Sequence, residues 1–312
     1  MSPDPRSRLP GHLQANAFRT DDLDFHGLGR GRLAASDLQR PFFGVRSVGL
    51  DLESTLGRCL AYEPRLRSGD AFSHISAAAL HGLPLGGEFA ASALHVLAAP
   101  RTGRPRAVGV VGHESATPFH VDIRHGLPVV PVALAWCQLA ELLNRNDLVV
   151  CGDAIVSTPQ VGGTRRAALA SIDELQEAIA AWGRRRGAVA LAWAIDRIRT
   201  GVDSRPETLT RLLIVAGGLP EPVVGHPVVL LDGRVVHPDL ALPALRIAFE
   251  YEGDRHRTDV RRWRSDIRRR EDLEDAGWRV VRVTWDDLTT HRADFIARAR
   301  RLAAVRSGAV TR

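Results

Sequence analysis

Ile247-Ala248-Phe249-Glu250-Tyr251-Glu252-Gly253 reads as a β-strand that carries chemistry. Side chains alternate across a strand, so Ile247, Phe249 and Tyr251 share one face and Glu250 and Glu252 the other. The apolar face belongs to a core. Two carboxylates in a strand this apolar are costly unless they are paired, solvated or bound to a metal. Before this strand, 228–231 reads as a strand, Asp232-Gly233 as a hairpin turn and 234–240 as the return strand. Ahead of these, 206–215 is a helix, with Ser204 and Pro206 as start signals and Gly217-Gly218 as its stop. After the strand come a long helix over 259–276 ended by Gly277, a strand over 278–284 and a closing helix over 286–304, capped by Asp286 or Asp287. The order α-β-β-β-α-β-α predicts an α/β fold, a mixed sheet flanked by helices.

Asp239 follows Pro238 near the end of the hairpin's second strand. If that strand neighbours the one carrying Glu250, the two carboxylates meet at one edge of the sheet. That is a hard-oxygen site suited to Mg²⁺ (or Mn²⁺), and the chemistry it points to is phosphodiester hydrolysis. Glu207, in the first turn of its helix, either adds a third carboxylate or complements the helix dipole. Glu252 is either part of the site or a solvated strand-end charge. His256, just past the strand, is placed to shuttle a proton or contact phosphate. Arg255, Arg257, Arg261 and Arg269 lie along the next helical segment. They read either as a phosphate-tracking surface or as a solvated face.

The 312 residues suffice for two domains. The net charge is +6, and all 42 basic residues are arginine, since the chain contains no lysine. Arginine is a good bidentate phosphate ligand but cannot act as a neutral general base. The charge excess fits a nucleic-acid partner. No apolar run approaches the ~20 residues of a membrane span, and the first thirty residues hold no apolar signal segment. Three widely spaced cysteines, Cys59, Cys137 and Cys151, give neither a zinc motif nor a disulfide framework, which suits a reducing cytoplasm. There is no P-loop, no GxGxxG after a strand and no GxSxG, so a small-molecule enzyme finds no support.

Residues 1–30, rich in Pro, Gly, Asp and Arg, are expected to be a poorly ordered tail. Residues 31–200 are expected to form an N-terminal α/β module. Within it, 73–80 reads as a helix with Ser73 as cap, ended by Gly82-Leu83-Pro84. Strands are expected at 94–97 and 107–111, and a buried helix over 131–143 around Trp136 and Cys137. An apolar strand or turn at 148–154 and helices over 172–182 and 184–198 complete the module. The second domain runs from 201 to 305, and 306–312 is a tail.

Asp239-Leu240-Ala241, Phe249-Glu250-Tyr251-Glu252-Gly253, His256, Asp266, Arg269, Leu273 and Gly277-Trp278-Arg279-Val280-Val281-Arg282-Val283 follow one another in a pattern that resembles the Vsr-like (DUF559) branch of the PD-(D/E)xK endonuclease superfamily. Pro206-Glu207-Thr208 resembles the opening helix of that family. The resemblance covers about a third of the chain. It implies a restriction-endonuclease-like core and metal-dependent DNA cleavage, with Asp239 and Glu250 as ligands and Glu207 in the acidic site. The family's lysine position is held by Glu252; Vsr-like relatives also lack that lysine and use histidine, which implies a role for His256. The zinc-binding Cys/His set of the Vsr mismatch endonucleases is absent, so mismatch specificity does not carry over. Ser73-His74-Ile75-Ser76-Ala77-Ala78 with Gly82-Leu83-Pro84 resembles a segment of AbiEi-type antitoxin relatives of actinobacteria. That implies a toxin–antitoxin-linked role, with a cognate toxin or other protein as partner. Two functions stand side by side: an active endonuclease of repair or defence, and a catalytically silent nuclease fold that binds DNA as an antitoxin-like regulator.

Overall fold

The computed structural model describes residues 9–308, apart from 23, 25, 90, 159, 162–163 and 254–259. The fold is mixed α/β. The chain divides into two units, one of Met1–Cys151 with Ile172–Trp193 and one of Gly152–Ser171 with Ala194–Arg312.

In the first unit, β1 (Asn16–Arg19) and β2 (Val45–Val48) pair as an antiparallel ribbon. Then follow α1 (Thr55–Tyr62), β3 (Ala71–Phe72), α2 (His74–Leu80), β4 (Leu94–Ala98), β5 (Val110–Glu114), β6 (Asp122–Arg124) and β7 (Leu127–Val129). The helices α3 (Val132–Leu139), α4 (Arg145–Val156), α5 (Ile172–Trp182) and α6 (Ala188–Ile195) come after them. A five-stranded sheet runs in the order β5-β4-β3-β7-β6. Its core holds Tyr62, Phe72, Leu80, Leu94, Val96, Leu127 and Val129.

Several local expectations are corrected here. Within the expected loose tail, Leu9, Leu13, Phe18 and Leu28 are instead buried together with Leu38. Their irregular spacing hides a small core from any periodicity reading. Ser73 stands at the N-cap of α2, but its hydroxyl makes no cap hydrogen bond; it bonds His74 Nδ1 at 3.0 Å. The expected strand at 107–111 starts only at Val110. The apolar run 148–154 is helical, inside α4. Leu148, Val149, Val150 and Cys151 are at most 1% exposed, and a short run buried all round has no period to separate strand from helix. The deciding signal is Asn144, whose Oδ1 accepts the Asp147 N–H at 3.0 Å while its Nδ2 donates to the Asp147 carboxylate at 2.7 Å, as a helix cap does. The helix expected from 184 begins at Ala188, because Gly187 has φ +85°, a conformation outside the right-handed helix.

In the second unit, β8 (Gln160–Val161) and β9 (Thr164–Arg165) form a short ribbon. There follow α7 (Arg205–Ala216), β10 (Val223–Val224), β11 (Val228–Val229), β12 (Val235–Val236), β13 (Leu240–Leu242), β14 (Ile247–Tyr251), α8 (Val260–Asp275), β15 (Arg279–Val283), α9 (Trp285–Leu288) and α10 (Arg292–Arg306). The main sheet has the order β10-β13-β14-β15. β13 is antiparallel to β10 and β14, and β14 is parallel to β15. The hairpin around Asp232-Gly233 is a separate ribbon, β11 with β12. Its return strand does not continue into β13, because Pro238 between them has no N–H to give a ladder. The closing helix is split in two, and its cap is Thr284 rather than Asp286 or Asp287. The Thr284 hydroxyl and the Asp287 carboxylate satisfy each other's backbone N–H groups, a capping box.

Both faces of the sheet are covered. Ile247 and Phe249 pack with Leu213, Ile214, Leu240, Val281 and Phe295, while Ala248 packs with Val228, Leu230, Leu273 and Val280. Burying a side chain the size of Phe249 contributes about 1.5–3 kcal/mol.

The boundary read at 200/201 also moves. Residues 152–171 and 194–200 belong with the second unit. Asp153 of α4 and Arg211 of α7, each 1% exposed, form an ion pair at 2.8 Å. Asp153 also accepts the Thr208 hydroxyl at 2.8 Å and the Arg199 N–H at 2.7 Å. Arg211 in turn donates to the Arg197 carbonyl and to Glu221, each at 2.8 Å. Removing one partner leaves the other charge buried and unmatched. Asp153→Ala is therefore expected to cost about 3–5 kcal/mol, read from urea unfolding followed by circular dichroism. A loss below about 1 kcal/mol, the value of an exposed pair, would show that the guanidinium does not depend on this carboxylate.

Candidate active site

Ser204 is the N-cap of α7. Its hydroxyl oxygen accepts the Glu207 N–H and its O–H donates to Glu207 Oε1 at 2.7 Å. The Asp203 N–H donates to Glu207 Oε2 at 3.0 Å. Glu207 is thus fixed at its own helix start, by the N-cap hydroxyl and by the N–H of the residue before the cap. Asp239 immediately precedes β13. The register Leu240↔Phe249, continued by one residue, sets Asp239 opposite Glu250, and opposed residues of an antiparallel pair share a face. The Tyr251 N–H donates to Asp239 Oδ2 at 2.9 Å, which ties this carboxylate to the end of β14.

Glu207 and Asp239 feel each other. Burial, and then the negative charge of Asp239, push the Glu207 carboxyl up to about 7. The hydrogen bonds from Ser204 and Asp203 act in the opposite direction and do not prevail. A like charge nearby disfavours the ionised form of a carboxyl, as burial does.

Glu250 is half-buried and pairs with Arg269 of α8 at 3.1 Å. Arg269 also donates to the His237 carbonyl oxygen. Glu252 lies just past β14 and pairs with the exposed Arg282 at 3.1 Å. Among the described residues, no three acidic groups offer oxygens all within 4.8 Å of one another. The structure therefore joins Glu207 to Asp239 by charge and Asp239 to Glu250 by register, and directs Glu252 to a surface arginine. Arg255, His256 and Arg257 lie outside the described residues. Arg261 falls on α8, its side chain likewise outside the description.

The comparisons with known proteins come to two relatives. The chain is 27% identical over 267 residues to the uncharacterized protein MT2308 of Mycobacterium tuberculosis (strain CDC 1551 / Oshkosh), covering 85% of this chain and 92% of the relative. It is similar to the same extent to the uncharacterized protein Rv2248 of Mycobacterium tuberculosis (strain ATCC 25618 / H37Rv). An alignment of that length exceeds either unit and so includes residues of both. No family model and no solved structure matches the chain. No helix among the described residues is long and apolar enough to cross a membrane.

Sequence reasoning missed one cluster, in the first unit. His74, His95 and His113 offer ring nitrogens that all lie within 4.8 Å of one another. His95 Nδ1 is 3.0 Å from His113 Nε2, and the His74 and His113 rings stack at 3.9 Å. Burial holds His74 down at about 2 and His95 at about 4, and the neighbouring imidazoles add to the effect. The available signal was His95 itself, a polar ring inside Leu94-His95-Val96-Leu97-Ala98, where all five residues are buried.

The charge relation at Glu207 has a pH signature. Its folded value of about 7 lies above the ordinary glutamate value of 4.5, so the folded state holds this proton more tightly than the unfolded chain. The group's contribution to stability is full below about 4.5 and is lost as the pH rises through about 7. The stability of the wild type relative to Glu207→Gln is therefore expected to fall between pH 5 and pH 8 in metal-free buffer. Paired thermal melts at the two pH values measure it, and an unchanged difference would show that burial and Asp239 together do not raise this carboxyl in the folded chain.

Proposed function

We propose that the second unit is a Mg²⁺-dependent (or Mn²⁺-dependent) DNA endonuclease of the PD-(D/E)xK type, acting in DNA repair or defence in the cytoplasm. The observation that carries this reading is the register that sets Asp239 opposite Glu250, beside a Glu207 carboxyl raised by burial and by the charge of Asp239. Carboxylates gathered at one sheet edge have the donor chemistry of a hard divalent cation. Asp239 and Glu250 would hold the ion, and Glu207, fixed by Ser204, would turn its charge toward the same place. When bound, such an ion polarises the scissile phosphate and makes its water a better nucleophile.

The remaining work falls to the chain's own groups. Tyr251 N–H orients the Asp239 carboxylate. Glu207, with its carboxyl near 7, is able to take up a proton at neutral pH, the general-base role that a neutral lysine amine cannot fill in a lysine-free chain. Arg269, on the face of α8 that meets Glu250, is placed to exchange that carboxylate for a backbone phosphate. A net charge of +6 favours approach to DNA and makes binding salt-dependent.

One observation favours a second reading. The ion pair of Glu250 with Arg269 already neutralises one of the expected ligands. A domain in which that pair is permanent is a silent nuclease fold that binds DNA, or a cognate toxin, as an antitoxin-like regulator.

Nicking of supercoiled plasmid separates the two. The purified chain is expected to nick with Mg²⁺ or Mn²⁺ and not with EDTA, and Asp239→Ala and Glu250→Ala are each expected to lower the rate by roughly 10²-fold or more, the scale of a lost electrostatic contribution. Equal nicking in EDTA, or by either variant, sinks the endonuclease. Salt-sensitive DNA binding without turnover selects the regulator.

A further inference from the structure

We propose that His74, His95 and His113 form a three-imidazole binding site for a divalent transition-metal ion of the zinc class, in the first unit and independent of the carboxylates discussed above. Three elements converge on it: His74 opens α2, His95 sits mid-way along β4, and His113 lies on β5. β4 and β5 are parallel neighbours in which His113 is paired with Leu97, two residues beyond His95, so the two histidines stand on the same face. The separation of 3.0 Å between His95 Nδ1 and His113 Nε2 is close to the about 3.3 Å expected between two nitrogens bound tetrahedrally at 2.0–2.1 Å. One ligand nitrogen from each of the three rings falls within 4.8 Å of the others, and the rings, now stacked nearly parallel, turn on binding to aim these nitrogens at one ion.

The supports around the rings are those of a built site. His74 Nδ1 is engaged by Ser73 Oγ at 3.0 Å, which leaves Nε2 as its ligand atom; metal-binding histidines are oriented in this way through their second nitrogen. The His74 backbone N–H donates to the buried Gln138 Oε1 at 3.0 Å, and the His95 N–H donates to Ser76 Oγ at 2.8 Å. His74 has φ +49°, a left-handed conformation that a non-glycine residue adopts at a cost. Such strain persists where surrounding contacts over-determine it, and it clusters at functional sites. His74 and His95 are 5% and 7% exposed, whereas His113 is half-buried and gives the route from solvent. Three imidazoles prefer Zn²⁺, Co²⁺ or Ni²⁺ to Mg²⁺. A three-histidine set also leaves a fourth position for water or another ligand, the pattern of open rather than closed zinc sites.

The test uses the full chain, stripped with EDTA, exchanged into chelator-free buffer and titrated with Co²⁺. The expected result is one ion per chain, with the intense visible absorption of four-coordinate cobalt. Zn²⁺ should displace it and excess Mg²⁺ should not, which separates this site from any oxygen-ligand site elsewhere. His113→Asn, at the half-exposed ring, is expected to keep the wild-type circular dichroism and weaken Co²⁺ binding by more than roughly tenfold, since even the loss of a supporting contact around a metal costs 10–100-fold. His95→Asn serves as the second variant. The proposal is overturned if the wild-type chain gives no four-coordinate cobalt spectrum, if Mg²⁺ displaces the cobalt, or if both variants bind Co²⁺ as the wild type does.

Discussion

The register between β13 and β14 is the constraint on which the second unit turns. Pairing Leu240 with Phe249 puts Phe249 into the core with Leu213, Val281 and Phe295 and leaves the Asp239 and Glu250 positions facing the other way. A slip of one residue would drive Glu250 into that core and turn Phe249 onto the face now packed around Ala248. Both ends of the ladder are fixed. Leu242 pairs with Ile247 at one end, and at the other the Asp239 side chain takes the Tyr251 N–H. The same carboxylate that the functional reading needs also closes the sheet, so its position is set by folding before any ligand arrives.

Folding also explains why the acids sit together at all. Glu207 is held by the start of α7, through the Ser204 hydroxyl and the Asp203 N–H. The cap would form equally well without Asp239 nearby. Its position beside Asp239 is an added cost, expressed in the raised Glu207 carboxyl. The buried pair of Asp153 and Arg211 makes the same unit tolerant of that cost. It pins α7 through a contact with 1% exposure on each side, and α7 carries Glu207 at its start. Position-defining and function-bearing charges are thus separate groups on one helix.

How much of this was legible in the sequence depended on whether a residue's partner was local. Strand alternation placed Phe249 in the core and Glu250 outside it, and Ser204 and Pro206 marked the start of α7. Asp239 and Glu250 could be matched because a strand order with short connections leaves few alternatives. The failures share a cause. The run from Leu148 is apolar on every side, so only the Asn144–Asp147 cap distinguishes helix from strand. Pro238 gave a readable reason for the hairpin to end before Asp239, but the hydrophobic pattern ran across it. Arg269 and Glu250 are nineteen residues apart, and no local pattern announces an ion pair at that separation. The histidines are more widely spread still; what brings them together is the parallel pairing of β4 with β5 and the turn into α2, and neither leaves a mark on the intervening sequence.

The balance of charge around Glu207 gives the remaining argument about the acidic edge. The groups acting on it are Asp239, Asp203, the Ser204 hydroxyl and the Asp203 amide: two acids and two neutral donors. Hydrogen bonds from neutral donors orient a carboxylate but do not cancel its charge. At Glu250 the balance is different, since Arg269 supplies a full positive charge at 3.1 Å from a partly solvated position. An ion pair of that kind, open to water, contributes about 0–1 kcal/mol, a small cost for its opening. On the proposed endonuclease reading, Arg269 is a replaceable counterion. It keeps Glu250 compensated in the absence of a ligand, and on release its planar fork is suited to the phosphate that a bound DNA strand would bring to the same edge.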